Sequence, residues 1–146
     1  MATFNKLNGF VEHLAEKVHN LGSDQLVVAL SNTAPSSETT RPDQTTANCI
    51  LANVTQISYT NLSSRNLTTS SSAQTSGTYA LVLADLTLTA SGSVGPFRYV
   101  YIYNSSASSP TNPLVGYYDY GSSITLASGE TFTIDFDNVS GVLTLA

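Results

Sequence analysis

The side chains able to do chemistry are few in this sequence. His13 and His19 are its two histidines, Cys49 is its single cysteine, and charged residues make up 10% of the chain. Six positions apart, the two imidazoles do not stack on one face of a helix, which needs a spacing of three or four. Glu16 and His19 are three apart and could touch, but two ligands do not make a metal site. The spacing therefore predicts a solvated helix face. A Ser-His-Asp triad would have to recruit one of these two histidines, and no G-x-S-x-G elbow presents a nucleophile. Ser91-Gly92-Ser93-Val94-Gly95 lacks the lysine and the spacing of a phosphate loop and reads as a tight turn. Asp135 and Asp137 would share a strand face, where paired carboxylates can exchange protons or hold Ca²⁺. Asp137-Asn138 leads into a turn, however, and a structural role is expected there. Cys49 reads as a buried inert thiol, and a lone cysteine excludes an intrachain disulfide. No catalytic residue, metal site or cofactor is expected, and the chain is not read as an enzyme.

What remains is material for binding. Eight tyrosines and no tryptophan occur, with Tyr79, Tyr99, Tyr101 and Tyr103 in one group and Tyr117, Tyr118 and Tyr120 in another. Tyrosine gives rigid contact area with a polar tip and suits interfaces. It is also an ordinary half-buried strand residue, and core or rim is the reading for most of these. The candidate interface residues are Phe4, Leu7, Val11, Leu14 and Val18 on a helix, with Tyr99, Tyr101 and Tyr103 on a strand.

Charge narrows the partners. Ten acids against five bases give a net charge of −5 and a pI near 4.6. Lys6, Lys17, Arg41, Arg65 and Arg98 are scattered. Nucleic-acid binding needs clustered bases that release counterions from phosphates, so no direct nucleic-acid contact is expected. No run of about 18 apolar residues exists to span a membrane. The first 22 residues lack the uninterrupted apolar stretch of a secretion signal, so synthesis in the cytoplasm is expected, and the N-x-[ST] sequons carry no weight.

The elements that must position these residues follow from periodicity. With 146 residues, the chain fits a single domain spanning 1–146. Phe4, Leu7, Val11, Leu14, Val18 and Leu21 recur at a 3-4-3-4-3 spacing, which predicts an amphipathic helix over 4–21 with Thr3 as N-cap and Gly22 as stop. Residues 25–31 form an apolar run that reads as a strand buried on both faces. Residues 32–48 hold Pro35, Pro42 and many Ser/Thr without a period, and read as a long loop or arm that orders on a partner. Residues 50–57 are ambiguous between strand and helical turn, and 65–71 suit a short polar strand.

Residues 78–146 carry the strongest β signal. Tyr79, Leu81 and Leu83 share one face, as do Leu86 and Leu88. The phase slips by one at Ala84-Asp85, where a bulge or a bend between sheets would absorb the extra residue. Phe97, Tyr99, Tyr101 and Tyr103 line one face, with Val100 and Ile102 opposite. Further runs at 114–118, 123–126, 131–136 and 142–145 are separated by Gly, Pro and Ser. Short strands at this spacing, in a chain with 21 Ser and 19 Thr, predict a mainly β fold, a β-sandwich or jelly roll with one N-terminal amphipathic helix.

Two blocks are familiar together. One is Phe4-Asn5-Lys6-x-Asn8-x-Phe10-Val11-Glu12-x-Leu14-Ala15, running on to Val18-His19-Asn20-Leu21. The other starts at Gly95-Pro96-Phe97-Arg98-Tyr99 and continues through Asn112-Pro113-Leu114, Tyr118-Asp119-Tyr120-Gly121 and Gly129-Glu130-Thr131-Phe132. It ends at Gly141-x-Leu143-Thr144-Leu145. This resembles a family of small structural proteins of tailed bacteriophage virions. The resemblance implies a capsid cement or decoration protein that binds the outside of the shell and stabilises it. The implied partners are the major capsid protein and further copies of this chain as a homo-oligomer on the shell. The implied location is the virion exterior, after synthesis in the host bacterial cytoplasm. A tail or fibre component of the same virion and a carbohydrate-binding β-sandwich are the alternatives. Residues 32–75 match neither block.

Overall fold

The computed structural model describes residues 2–146. The fold is mainly β with one helix. Four antiparallel strands form the larger sheet in the order β1-β7-β6-β2: Phe4–Lys6 (β1), Leu114–Leu126 (β7), Val94–Asn104 (β6) and Leu26–Ser31 (β2). Thr69–Thr75 (β3), Thr78–Leu83 (β4) and Leu143–Leu145 (β9) make a second sheet in the order β3-β4-β9. Leu86–Thr89 (β5) and Thr131–Ile134 (β8) make a third. The two smaller sheets pack on one face of the larger, giving the two layers of a β-sandwich. Val28 and Leu30 of β2 and Val100 and Ile102 of β6 meet Leu81, Leu83, Leu88 and Ile134 in one apolar core. Burial of this area is the main favourable term holding the layers together.

The switch of sheets falls where the alternation slips. β4 ends at Leu83, β5 starts at Leu86, and the chain bends between sheets at Ala84-Asp85. The Asp85 carboxylate then accepts the Phe136 N–H at 2.9 Å, tying the bend to the strand beside it. All six residues of β2 are buried, as their unbroken apolar run predicts.

The helix is shorter than its apolar spacing predicts. It spans Asn8–Ala15 (α1), not 4–21. Phe4 pairs with Tyr118 across the β1–β7 ladder, and Leu7 donates its N–H to the Val115 carbonyl at 3.1 Å. The sheet thus claims the residues that would have opened the helix, and Leu7 rather than Thr3 stands at the N-cap. At the other end Val18 N–H bonds the His13 carbonyl and Lys17 N–H the Leu14 carbonyl. Lys17 takes a left-handed φ of 64°. This is the Schellman closure, and it stops the helix well before Gly22. The buried face is rotated as well: Phe10 and His13 point inward, while Val11 is 52% exposed.

Two strands also depart from the simple alternation. Phe97 pairs with Ile124 and joins the aliphatic core, not the tyrosine face, and the β6–β7 register shifts between Phe97 and Tyr99. Residues 114–118 and 123–126 are one strand, because Gly121 sits at φ 93° inside a bulge and does not end the strand with a turn. Residues 50–57 hold a single 3₁₀ turn, Leu51–Asn53, and the polar strand lies at Thr69–Thr75.

Candidate interaction surface

The tyrosine stripe lies on the face of the large sheet turned away from the sandwich core. Tyr99, Tyr101 and Tyr103 stand there beside Val27 and Ala29 of β2, Leu114 of β7, and Leu7. This face is not free. Residues 32–56 fold back across it and bring Cys49, Leu51 and Val54 onto the rings, so that Tyr101 has no exposed surface. The expected arm is therefore a cover for the chain's own sheet. The physical reason is area: three tyrosines and four aliphatic neighbours form an apolar surface that the same chain can bury without a partner.

Polar clamps hold the cover. Leu114 donates its N–H to the Cys49 carbonyl and Leu51 to the Asn112 carbonyl, both at 2.9 Å. The Glu38 carboxylate, 8% exposed, accepts the backbone N–H and the hydroxyl of Thr55, each at 2.7 Å. Thr46 donates its hydroxyl to Glu12 at 2.7 Å, and Asn8 its side-chain amide to the Asp43 carbonyl at 3.1 Å. Arg41 and Asp43 form a two-pronged ion pair within the segment, and the guanidinium holds the carboxyl below its ordinary range. Gly9 of α1 is needed for this closure. A Cβ there would lie 2.5 Å from Cys49 Cβ and 2.8 Å from Thr46 Cα. Burial pushes the Cys49 thiol up to about 11, which suits an inert packed residue. Tyr101 keeps one defect: its hydroxyl is buried without a hydrogen-bond partner, and burial raises its pKa.

The eight candidate interface residues therefore part company. Leu7, Tyr99, Tyr101 and Tyr103 are interior. Phe4 is half-buried against Tyr118, with ring centroids 5.2 Å apart. Leu14 and Val18 are half-buried, and Leu14 packs on the aliphatic core. Val11 alone presents an open apolar surface.

The histidines are not on a solvated face. His13 is 4% and His19 5% exposed, with ring centroids 5.9 Å apart, and His19 also lies 5.0 Å from the Phe10 ring. The missed signal was position: the Schellman closure folds residue 19 back over the helix it follows. The tautomer of His19 follows from its neighbour. Asn104 Oδ1 accepts the N–H groups of Ser106 and Ala107, so its Nδ2 is the donor to His19 Nδ1 at 3.2 Å and to Asp24. His19 Nδ1 is an acceptor and its proton sits on Nε2. Burial first, then His13, brings His19 down to about 4 against the opposing pull of Asp24. No group of three potential metal ligands gathers among the described residues. Asp137 accepts the N–H groups of Val139 and Ser140 and shapes a turn, as expected. Those bonds hold its carboxyl below its ordinary range.

Two recesses open on the surface of the described residues. The larger recess, about 580 Å³, runs between the end of α1 and the β3-β4-β9 sheet, with Leu14, Leu21, Tyr79 and Leu145 in its walls. The smaller, about 370 Å³, lies between β7 and β8 and is walled by Tyr118, Tyr120 and Phe132, with Asp135 beside them. None of the protein families, characterised proteins or solved structures compared with the chain matches it.

Proposed function

We propose that this protein is a capsid cement or decoration protein of a tailed bacteriophage, bound to the outside of the shell through the major capsid protein and through copies of itself. The reading rests on the two sequence blocks that resemble virion structural proteins, and one observation supports taking them together. The blocks are far apart in the chain but adjacent in the fold. Phe4 of the first pairs with Tyr118 of the second, Leu7 bonds Val115, and His19 meets Asn104 at the end of β6. Most of the familiar residues fall in β1, α1, β6 and β7, with others in β8 and β9 of the smaller sheets, and the unmatched residues 32–75 supply a cover and an outer strand.

The surface suits this use. It is acidic, and the ion pairs Arg41–Asp43 and Arg98–Asp119 are formed inside the chain. A shell contact built from strand edges and apolar side chains would then depend weakly on salt. The experiment is addition of the protein to particles stripped of it. Binding at many equivalent sites raises the resistance of the shell to heat by mass action, while the shape of the shell is unchanged. Particles that lose the protein, keep their thermal stability and fail in adsorption would move it to the tail or fibre.

The aromatic recess at Tyr118, Tyr120 and Phe132 keeps the carbohydrate-binding reading as the second one. Tyr120 is 53% exposed and its ring meets Phe132 edge-on at 5.5 Å. Binding of the protein to immobilised cell-surface polysaccharide, lost on Tyr120→Ala, would favour it.

A further inference from the structure

Most strand edges in this molecule are short, broken or covered. β1 and β9 have three residues each, β5 and β8 four. The free side of β2 is covered by backbone bonds from Ile57, Arg65 and Leu67, and that of β5 by Ser63. The outer half of β7 is broken by residues 120–123, which bulge opposite Arg98. β3 is the exception. It has seven residues, Thr-Ser-Ser-Ser-Ala-Gln-Thr, with no charge and no proline, and it pairs only with β4. Its single irregularity lies near its start, between Thr69 and Ser71. Such an edge is a template for another strand unless something blunts it.

The register shows which groups are free. Thr75 and Thr78 close a two-residue turn at Ser76-Gly77, both at positive φ, so they form a hydrogen-bonded pair. By alternation Ala73 and Ser71 also bond β4. The N–H and C=O of Ser72 and Gln74 point outward. Paired residues share a sheet face, so a residue added opposite Ser72 lies on the face of Ser72, Leu81 and Tyr79. That is the side of the 580 Å³ recess, which Ser72, Tyr79 and Leu145 line. Lys17 stands in the same wall and makes no ion pair among the described residues.

We propose that the β3 edge and this recess form a strand-addition site for an extended segment of a partner protein, one carrying a large apolar side chain beside a carboxylate. The main chain of the segment bonds Ser72 and Gln74, its apolar side chain enters the recess, and its carboxylate meets Lys17. A second copy of this chain fits less well, because its own β3 would lay Ser and Gln side chains over apolar walls. The site is independent of which particle the protein joins, and its test uses no particle.

The probe is the capped peptide Thr-Glu-Thr-Leu-Thr-Leu-Thr, added at millimolar concentration to the full chain. Amide exchange at Ser72 and Gln74 is expected to slow by about tenfold or more, with NMR shifts at Leu14, Tyr79 and Leu145. Ser72→Pro removes an outward donor without removing a backbone bond to β4, although it gives up the 2.8 Å bond between the Ser72 and Tyr79 hydroxyls, and is expected to abolish the protection of Gln74. Lys17→Glu, at an exposed position, is expected to weaken binding about fivefold, and replacing the peptide's Glu with Lys should restore it. The charge swap keeps the test decisive if the proline variant does not fold. No slowing at Ser72 and Gln74 overturns the proposal. So does a concentration-dependent dimer that Ser72→Pro dissociates, which would give the edge to a second copy.

Discussion

One face of the four-stranded sheet is covered by strands, the other by residues 32–56, whose only regular pieces are two 3₁₀ turns. The inner face is aliphatic: Val28, Leu30, Val100 and Ile102 meet the leucines of β4 and β5. Its stability is spread over a large area, so no single bond is critical. The outer face is aromatic, and its cover has no strand ladder of its own. That cover depends on a few clamps, chief among them the Glu38 carboxylate on Thr55 and the backbone bonds of Cys49 and Leu51. Two compromises sit there as well: a carboxylate 8% exposed and a tyrosine hydroxyl with no partner. The two covers should therefore respond differently to the same kind of damage.

The largest expected effect is on the inner face. Leu30 has no exposed surface and sits among strands that cannot collapse into a gap. Leu30→Ala should lower the unfolding free energy by about 2–5 kcal/mol, read as a lower midpoint in urea with an unchanged slope. A loss of slope would mean that the two layers unfold separately, and the contrast between the faces would then be one of cooperativity.

Acid should come next. Burial brings His19 to about 4 and lowers His13 too, against ordinary values of 6.5. The fold holds both rings neutral, so their contribution is fully present above pH 6.5 and is lost as the pH falls toward 4. The expected loss is about 2–3 kcal/mol over that window. Asp43, Asp119 and Asp137, whose carboxyls are held below their ordinary 3.8, act only at lower pH. Denaturation curves at pH 7 and pH 4.5 measure the loss, and His19→Gln should flatten the difference. An unchanged slope in that variant would place the acid sensitivity outside this network.

The same contrast explains what the sequence could tell. The inner face was legible because period-two alternation in β4, β5 and β6 and the apolar run of β2 mark buried strands directly, and the slip at Ala84-Asp85 marked the change of sheet. The outer face was half legible. Alternation puts Tyr99, Tyr101 and Tyr103 on one face, where the structure has them, but their cover lies in residues 32–56, where no period exists. What orders that segment is long-range: Glu38 to Thr55, Thr46 to Glu12, Cys49 to Leu114. None of these pairs has a local signature. The helix was overextended for a related reason. Phe4 and Leu7 have helical spacing, yet the edge of β7 competes for their backbone groups and wins, because pairing there also seats Phe4 on Tyr118. The surface recesses gave no signal at all, since each is assembled from strands distant in sequence.

Removing the clamp should have a smaller and more local effect than removing Leu30. Glu38→Ala deletes two hydrogen bonds to a charged acceptor and leaves the Thr55 donors facing a gap. The expected cost is about 2 kcal/mol. Amide exchange should accelerate across residues 32–56 while β2 and β6 keep their protection. Uniform acceleration in the whole sheet would show that the cover and the sandwich form a single cooperative unit.

The smallest effect has the opposite sign. Tyr101 fills the centre of the outer core, its ring 5.6 Å from Tyr117 and wholly buried, while its hydroxyl finds no partner. The ring contributes area; the hydroxyl was stripped of water and given nothing in return. Tyr101→Phe keeps the first and removes the second, and should raise stability by about 1 kcal/mol, because a buried unpaired polar group costs roughly that much or more. The cover should close at least as well as before, with exchange in residues 32–56 unchanged or slower. The same substitution at Tyr59 is the control. Its hydroxyl accepts the Leu30 N–H at 2.9 Å and bonds Gln56 at 3.0 Å, so Tyr59→Phe should destabilise by about 1 kcal/mol. If Tyr101→Phe destabilises as well, the hydroxyl has a partner under the cover, and the outer core is better satisfied than its geometry shows.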